Sequence, residues 1–282
     1  MAYLDHIRVC NTHDLSGFRP FLTAGRRIGW VRHGLAERLG EFETNFIVSP
    51  AAVSLTPELD SFDKRSQAMA NVARALANEG LIPKLRRENY PILTQWGAAP
   101  LFALDRAAVP AFGVHAFGVH MNGYVRLPDG SIEMWVAKRA HDRIIAPGKL
   151  DNLVAGGQPI GLSLFENLLK EAKEEAGIES SQAARALSTG AVSYVMETEI
   201  GLKPDTMFIY DLELPEAFIP KNLDGEVETF ERWSINKIAE VVRETDQFKF
   251  NCNLVIIDFM IRHGVLTPDE ADYLELVKGL RK

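Results

Sequence analysis

The chain has little cysteine, no long apolar run and no excess of positive charge, and each shortage excludes a class of protein. Two cysteines in 282 residues, Cys10 and Cys252, are too few for a scaffold held by disulfides. No apolar run reaches the roughly 18 residues that a membrane-spanning helix needs, so we expect no membrane partner. The 38 acidic residues outnumber the 31 basic ones, and the net charge of −7 argues against nucleic-acid binding through general basicity. The N-terminus has no leader pattern, so the expected location is the cytoplasm.

The composition nevertheless supplies ample apolar material for a buried core. Hydrophobic residues make up 46% of the chain and charged residues 24%, which is ordinary for a globular protein. At about 150 residues per domain the length corresponds to roughly two domains. Near residue 110 the pattern changes from short mixed segments to longer strands. We therefore predict an N-terminal α+β domain over residues 1–110 and an α/β domain over residues 111–282.

Start and stop signals place the main elements. A helix is predicted from Ser61 to Asn78 with Asp60 as its N-cap. Two strands, 114–125 and 131–138, are predicted to form a hairpin because Asp129-Gly130 supplies the special backbone angles of a turn. Further strands are predicted at 27–32, 45–48, 91–95, 191–199 and 207–212, and further helices at 164–176, 235–243, 253–262 and 269–280.

The predicted helix from Leu164 to Ala176 carries three glutamates on one side. At 100° per residue, Glu171, Glu174 and Glu175 fall within an arc of about 100°. The residues expected to pack lie on the neighbouring arc: Phe165, Leu169, Ala172 and Ala176. Three glutamates alone are more often a solvated surface than a site. Converging carboxylates repel one another unless a cation lies among them, and such oxygen ligands suit Mg²⁺ or Mn²⁺ bound with substrate phosphates.

The glycine loop before this helix favours the metal site over the solvated surface. From Gly156 to Ile178 the sequence resembles the Nudix box, G-x5-E-x7-R-E-U-x-E-E-x-G-U, in which U is a bulky aliphatic residue. The positions that match are Gly156, Glu171, Glu174, Glu175, Gly177 and Ile178, with Ala172 as a small residue at the first U. Leu162 replaces the first glutamate and Lys170 replaces the arginine. If that first glutamate supports the metal, the site is one carboxylate short.

The resemblance extends over nearly the whole chain. Segments 147–157, 224–228, 248–249 and 261–264 are similar to a Nudix subfamily in which a domain of unassigned function precedes the Nudix domain. Its members include the Nudix part of fungal thiamine pyrophosphokinase fusions and plant chloroplast proteins. The resemblance implies a MutT-like Nudix α/β/α sandwich after a smaller α+β N-terminal domain. It also implies a hydrolase that removes the terminal phosphate from oxidised or damaged thiamine diphosphate, leaving the monophosphate.

The resemblance also implies roles for the acidic residues. Glu171, Glu174 and Glu175 match the metal-binding glutamates, and Glu174 or Glu175 can also orient the attacking water. Glu226 and Glu228 follow the last predicted strand, where Nudix enzymes often supply a further carboxylate. Either is a candidate metal ligand or general base, and a solvated turn is the equally weighted alternative.

The substrate is expected to meet the loop and the basic residues near it. Gly156 and Gly157 form the candidate substrate-binding loop, and Arg139 and Lys149 are candidate contacts for phosphate oxygens. We expect the pocket to lie where the two domains meet, with the N-terminal half enclosing the organic moiety. His115 and His120 are separated by an odd number of positions on one predicted strand, so they point to opposite faces and cannot form a metal site together. No histidine or cysteine cluster has zinc spacing.

Two other functions stay open at this stage. One is a general hydrolase of nucleoside diphosphate derivatives such as ADP-ribose or a dinucleotide, because substrate choice lies outside the box. The other is a weakened Nudix module that binds a ligand without turnover, for which Leu162 is the argument. The expected partner is a small-molecule diphosphate and not nucleic acid, with a homodimer as an open alternative.

Overall fold

The structure, a computed structural model, describes residues 2–282. Its helices are α1 Tyr3–Cys10, α2 His33–Leu39, α3 Phe62–Asn78, α4 Val109–Phe112, α5 Leu164–Ala176, α6 Ser180–Ala183, α7 Ile235–Glu244, α8 Phe250–Arg262 and α9 Tyr273–Gly279. Its strands are β1 Phe18–Thr23, β2 Arg26–Arg32, β3 Phe46–Val48, β4 Val53–Leu55, β5 Asn89–Ile92, β6 Phe102–Asp105, β7 Ala116–Arg126, β8 Ile132–Arg139, β9 Leu150–Asp151, β10 Val154–Gly157, β11 Leu187–Glu197, β12 Leu202–Glu213 and β13 Val227–Ser234. Within these residues, no helix is long and apolar enough to cross a membrane.

The N-terminal half builds its own core around a four-stranded sheet and a separate hairpin. The sheet has the order β2-β1-β4-β3, and β5 pairs with β6 beside it. Phe21 and Phe112 pack in this core with ring centroids 5.4 Å apart. Helix α3 begins at Ser61, whose hydroxyl accepts a hydrogen bond from the Lys64 backbone N–H at 3.3 Å. The predicted cap at Asp60 is wrong, because that carboxylate instead pairs with the Lys64 ammonium at 3.0 Å.

The C-terminal half is layered as helix, sheet, helix. Its sheet has the order β11-β12-β7-β8-β13, with β10 beside β7 and β9 beside β8. Strands β7 and β8 pair antiparallel, which confirms the predicted hairpin. Helix α5 packs on one face through Leu168 and Ala172. On the other face, α8 packs through Val255 and Phe259. The observed layers match the expected α/β/α sandwich.

The first helix belongs with the C-terminal core. Tyr3, Leu4 and Ile7 of α1 are buried in the same cluster as the apolar residues of α8 and α9. After α1, the chain leaves the C-terminal core, forms the N-terminal sheet, and re-enters the C-terminal core at β7. The division at residue 110 stays a prediction. Helix α1 precedes it in sequence but packs in the C-terminal core.

Two of the differences between predicted and observed strands bear on the site. Strand β12 begins at Leu202 rather than at the predicted Met207, because polar residues such as Asp205 hide its first half from a hydrophobicity pattern. Strand β13 was not predicted, since its residues alternate between charged and aromatic and only Val227 is buried. As a result, Glu228 lies within a strand and Glu226 directly before it.

Candidate active site

The glutamate helix α5 is fixed at both ends by its own sequence. Ser163 Oγ accepts from the Glu166 backbone N–H at 3.2 Å, and the Glu166 carboxylate accepts from the Ser163 N–H at 2.8 Å. These reciprocal bonds form a capping box that satisfies donors at the helix start. The helix ends at Gly177, whose φ of +64° is the left-handed conformation that favours glycine.

The face that α5 buries is not quite the one that was predicted. Ala172 and Ala176 are buried as expected, but Phe165 is 44% exposed and Leu169 is only half-buried. Leu168 is buried in their place. The face is rotated because two of the glutamates also point inward. They take up positions that an amphipathic pattern assigns to solvent.

Gly156 and Gly157, predicted to form a loop, instead end strand β10, because both pair with β7, and Glu171 lies against Gly156. A Cβ atom built on Gly156 would collide with the carboxyl carbon of Glu171, so only glycine leaves room for this side chain. Lys170 Nζ lies 3.1 Å from Glu171 and 2.8 Å from Glu174, which keeps a positive charge where the box has arginine. Burial raises the pKa of Glu171, and Lys170 partly opposes that rise.

Glu175 is buried beside Glu171, one helical turn further along. Its carboxylate accepts a hydrogen bond from the Ala155 backbone N–H at 2.7 Å. Burial raises the pKa of Glu175 well above its usual value, and Glu171 raises it further. Glu174 is the most exposed of the three glutamates, and its carboxylate forms an ion pair with Lys170. Two buried carboxylates that repel each other, with a third beside them, are a donor set that fits a divalent cation.

The three glutamates face a cavity between the two halves of the chain, which we call the interdomain cleft. The cleft has a volume of about 480 Å³, within the usual range for small-molecule sites. The C-terminal half contributes Gly156, Gly157 and the glutamates to its wall, and Gly157 lies against the hydroxyl of Tyr90 from the N-terminal half. The charged residues from the N-terminal half that line it are Arg86, Glu88 and Arg106.

The structure separates the two candidate carboxylates that follow the box. Glu226 lines the interdomain cleft and pairs with Arg143 at 2.6 Å. Glu228 pairs with Lys138 at 3.0 Å and is not among the described residues that line the cleft. Residues two apart in a regular strand share a face, but Glu226 precedes β13 and the pairing of β13 with β8 shifts register between Val227 and Thr229, so the two side chains take different directions. Glu226 is the candidate that the structure brings to the glutamates of α5.

The two basic candidates also have different positions. Arg139 lines the cleft, with its guanidinium 2.7 Å from the buried carboxylate of Asp151. Lys149 binds the backbone oxygen of Asp246 at 2.6 Å and its carboxylate at 3.0 Å, and the lining formed by residues 2–282 does not include it. The prediction that Lys149 contacts phosphate is therefore not supported. Its loop directs the side chain toward the segment after α7.

Lys249 is a cleft cation that the sequence analysis missed. Its side chain is 13% exposed, lines the cleft, and lies 3.6 Å from Asp151. Burial is the largest single effect and opposes its charge, but Asp151, Cys252 and Glu175 together outweigh it, so the pKa of Lys249 is raised. The available signal was the Phe248-Lys249 pair, which belongs to the segments that resemble the subfamily.

Beneath the cleft, the fold brings together a histidine, an aspartate and a cysteine that are far apart in sequence. Ligand atoms of His120, Asp151 and Cys252 lie within 4.8 Å of one another, a spacing that can hold a metal ion. Cys252 Sγ donates a hydrogen bond to Asp151 at 2.6 Å, and Asp151 also forms ion pairs with Arg139 and Lys249. The aspartate is thus already neutralised by two cations. The group is better described as a hydrogen-bonded support for the cleft floor.

Comparisons with known proteins found a family model, curated relatives and solved structures similar to this chain. A family model described as a domain of unknown function, DUF4743, matches residues 2–116. Nudix hydrolase 20, chloroplastic, of Arabidopsis thaliana is 42% identical over 291 residues, covering 99% of this chain and 78% of that protein. Nudix hydrolase 24, chloroplastic, of the same plant is 41% identical over 284 residues, with the same coverage of both chains. A C. elegans Ap4A hydrolase binary complex matches 54% of this chain and 99% of its own at 14% identity, with a TM-score of 0.40.

The two plant relatives confirm the resemblance found in the sequence. They match nearly all of this chain, so the relationship includes both halves and not the box alone. Nudix hydrolases generally use divalent metals, and the buried glutamates of α5 fit such an ion. The chain belongs to the Nudix hydrolase family, as a hydrolase of diphosphate bonds with a DUF4743 domain at its N-terminus.

Proposed function

We propose that this Nudix hydrolase uses Mg²⁺ or Mn²⁺ to cleave oxidised or damaged thiamine diphosphate to the monophosphate. The observation that carries the proposal is a cleft with two chemically different ends. One end holds the glutamates of α5. The other lies toward the starts of β7 and β12, where Asp205 pairs in register with Ala116; its lining is mainly apolar and includes one buried carboxylate, that of Asp205.

At the glutamate end, Glu171, Glu174 and Glu175 would hold the cation. When bound, the cation acts as a Lewis acid on a phosphoryl oxygen and lowers the pKa of water. Glu174, Glu175 and Glu226 are the carboxylates that can orient this water and accept its proton. The water oxygen forms a bond to the terminal phosphorus, and the bond from that phosphorus to the bridging oxygen breaks. The products are inorganic phosphate and the monophosphate ester.

Cationic side chains beside the glutamates suit the phosphate oxygens. Arg139 and Lys249 line the cleft next to Asp151. Lys170 pairs with Glu171, and Arg143 pairs with Glu226. Each of these cations has a carboxylate partner within the protein. The partners keep the cations in place before substrate binds, and charge-assisted bonds to phosphate are strong when geometry is preset.

The apolar end suits a heterocycle that carries N–H donors. Asp205 accepts from the Tyr194 hydroxyl at 2.8 Å and from Lys203 through one oxygen, while its other oxygen is buried without a hydrogen-bond partner among the described residues. Buried acceptors without partners are rare and costly. An aminopyrimidine, as in thiamine, offers N–H donors for such an acceptor. The apolar residues that line the cleft include Val109, Pro110, Phe117, Ile200, Met207 and Phe250.

ADP-ribose is the second candidate, because the adenine amino group is also an N–H donor that suits Asp205. The third possibility, a binding module without turnover, loses its main argument. Leu162 is 37% exposed and is not among the described residues that line the cleft. A leucine in that position therefore removes no carboxylate from the site.

The test is phosphate release from oxidised thiamine diphosphate, thiamine diphosphate and ADP-ribose, each with Mg²⁺ and with EDTA. We expect the highest kcat/KM for oxidised thiamine diphosphate, activity only with metal, and a loss of at least about tenfold in Asp205→Asn. Asp246→Asn is the control, since the Asp246 carboxylate forms an exposed ion pair with Lys149 outside the cleft. A higher kcat/KM for ADP-ribose would assign the substrate to the second candidate. Absence of turnover with every diphosphate would contradict the hydrolase proposal.

A further inference from the structure

The N-terminal half is attached to the Nudix box itself. The backbone oxygen of Asn89 in β5 accepts a hydrogen bond from the Ile160 N–H at 2.8 Å. On the next residue, the Tyr90 hydroxyl fills the space beside Gly157 where a Cβ atom would lie. The hairpin of β5 and β6 is thus docked on the loop that leads into the glutamate helix. Its position relative to the glutamates is set by direct contact.

One buried carboxylate organises the end of this hairpin. Asp105 accepts hydrogen bonds from the backbone N–H groups of Arg86 at 3.0 Å, Arg87 at 2.8 Å and Ala107 at 2.9 Å. These bonds tie the segment before β5 to the segment after β6. Arg86 and Arg106 are therefore neighbours on one edge of the cleft, although twenty positions separate them in sequence. Backbone groups held in this way fix where their side chains begin.

The same edge carries a charged pair that faces the glutamates. Arg106 and Glu88 form a close ion pair, and their backbones are joined by a bond from the Arg106 N–H to the Glu88 oxygen at 2.9 Å. Both side chains line the cleft together with Glu171 and Glu226. Burial is the main cause of the raised pKa of Glu171, and Glu88 is among the carboxylates that raise it further. Because Asn89 and Tyr90 dock on the box loop, the adjacent Glu88 and its partner Arg106 lie on the part of the cleft wall next to the box.

We propose that the N-terminal domain is a wall of the active site and that Arg106, positioned by Glu88, binds the phosphate oxygens of the substrate. An arginine presents a planar fork that matches phosphate, and a carboxylate neighbour holds the fork ready. Substrate phosphate takes over from Glu88 as the partner of the guanidinium. The inference rests on the diphosphate chemistry of the proposed function but not on the identity of the organic moiety.

The same domain offers a matched control. Arg38 pairs with Glu79 at 2.6 Å, and the exposed fractions of the two side chains are 26% and 37%. The corresponding values for Arg106 and Glu88 are 38% and 27%. Neither Arg38 nor Glu79 is among the described residues that line the cleft. Removing Arg106 removes its half-exposed ion pair, and removing Arg38 removes a similar pair together with a second contact, to Glu41 at 3.3 Å, but only Arg106 lines the cleft.

The experiment compares full-length wild type, Arg106→Ala, Arg106→Lys and Arg38→Ala with Mg²⁺ present. The measurements are KM for the best diphosphate substrate, Kd for methylenediphosphonate by calorimetry, and the melting temperature. We expect Arg106→Ala to raise both KM and Kd at least about tenfold, and Arg106→Lys to raise them by a smaller factor. Arg38→Ala is expected to leave both constants unchanged. The melting temperatures of the two alanine variants should be similar.

Equal KM and Kd in Arg106→Ala and Arg38→Ala would overturn the inference, as would failure of the wild type to bind methylenediphosphonate. If Arg106→Ala does not fold, Arg106→Lys decides. It keeps the ion pair but not the fork, so wild-type affinity in that variant also overturns the inference. If no diphosphate is hydrolysed, the proposed function fails, while an Arg106-dependent Kd for methylenediphosphonate still supports the inference.

Discussion

The carboxyl group of Glu171 occupies the space that a side chain at Gly156 would need. This contact explains why a glycine and a glutamate fifteen positions apart belong to one motif. The glycine has no unusual φ, so its role is to let a side chain approach the backbone closely. The box is therefore a packing arrangement as well as a set of ligands.

Gly156→Ala should displace Glu171 without unfolding the chain. The side chain that meets the new methyl group is flexible, so the expected result is a shifted carboxylate and a fall in kcat/KM of at least about tenfold. The measurement is Mg²⁺-dependent hydrolysis together with thermal denaturation. Gly34→Ala is the control, because Gly34 has open space around its Cβ position and lies outside the cleft. Wild-type hydrolysis in Gly156→Ala would show that the position of Glu171 is not critical.

Glu174→Gln and Glu175→Gln should keep the shape of α5 while removing a ligand charge. We expect each to lower kcat by at least about 10²-fold, because metal binding and water activation are lost together. The comparison is Glu179→Gln, since Glu179 lies past the end of α5 and pairs only loosely with Lys173, at 3.7 Å. Near-normal turnover in both α5 variants would remove these glutamates from the metal site.

The elements that carry the box could be predicted because local signals are sufficient there. A helix stop at Gly177 and the hairpin turn at Asp129-Gly130 each specify backbone conformation through nearby residues. The helix over residues 164–176 and the resemblance to the Nudix family are both confirmed. The identities of the metal ligands remain a prediction.

The rest of the site depends on contacts between distant segments. Lys249 and Asp151 lie nearly one hundred positions apart, and Arg106 reaches the glutamates only because Asn89 and Tyr90 dock on the box loop. A single sequence contains no local pattern for such pairs. Lys149 was chosen because it is close to the box in sequence, and the structure directs it elsewhere.

Lys149 and Lys249 should respond differently to substitution. Lys149→Ala is expected to leave KM within about twofold of wild type, since an exposed ion pair contributes little. Lys249→Met should raise KM and lower the melting temperature, because it removes a cleft cation and leaves Asp151 buried with Arg139 as its remaining strong counter-charge. Steady-state kinetics and thermal denaturation of both variants provide the check. A larger KM effect from Lys149→Ala would restore the original assignment.

His120 should make the protein sensitive to mild acid. Its ring binds Asn152 at 2.9 Å, and burial is the main cause that lowers its pKa to about 4. Because the unfolded chain binds the proton more readily, near pH 6.5, the stability contributed by neutral His120 is full at pH 7 and is lost as pH falls from about 6.5 toward 4. The expected loss at pH 5 is about 2 kcal/mol. Denaturant unfolding at pH 7 and pH 5 measures it.

His120→Gln is the control for that acid sensitivity, since glutamine retains an N–H donor but does not titrate. The difference in unfolding free energy between pH 7 and pH 5 should be smaller in this variant than in wild type. His6 and His115 also have pKa values lowered by burial, so part of the pH dependence will remain. The same pH dependence in both proteins would exclude His120 as a contributor.

Leu162→Glu tests whether the missing box glutamate matters in this chain. Because the side chain at 162 is exposed and lies outside the cleft lining of the described residues, the new carboxylate replaces no buried contact. It also lies just before the start of α5, where the positive end of a helix favours a negative charge. We expect a change in unfolding free energy within about 0.5 kcal/mol and no change in the Mg²⁺ concentration that gives half the maximal rate. A tighter Mg²⁺ dependence would show that this position does reach the metal, and a large fall in melting temperature would show that Leu162 packs more closely than its exposure indicates.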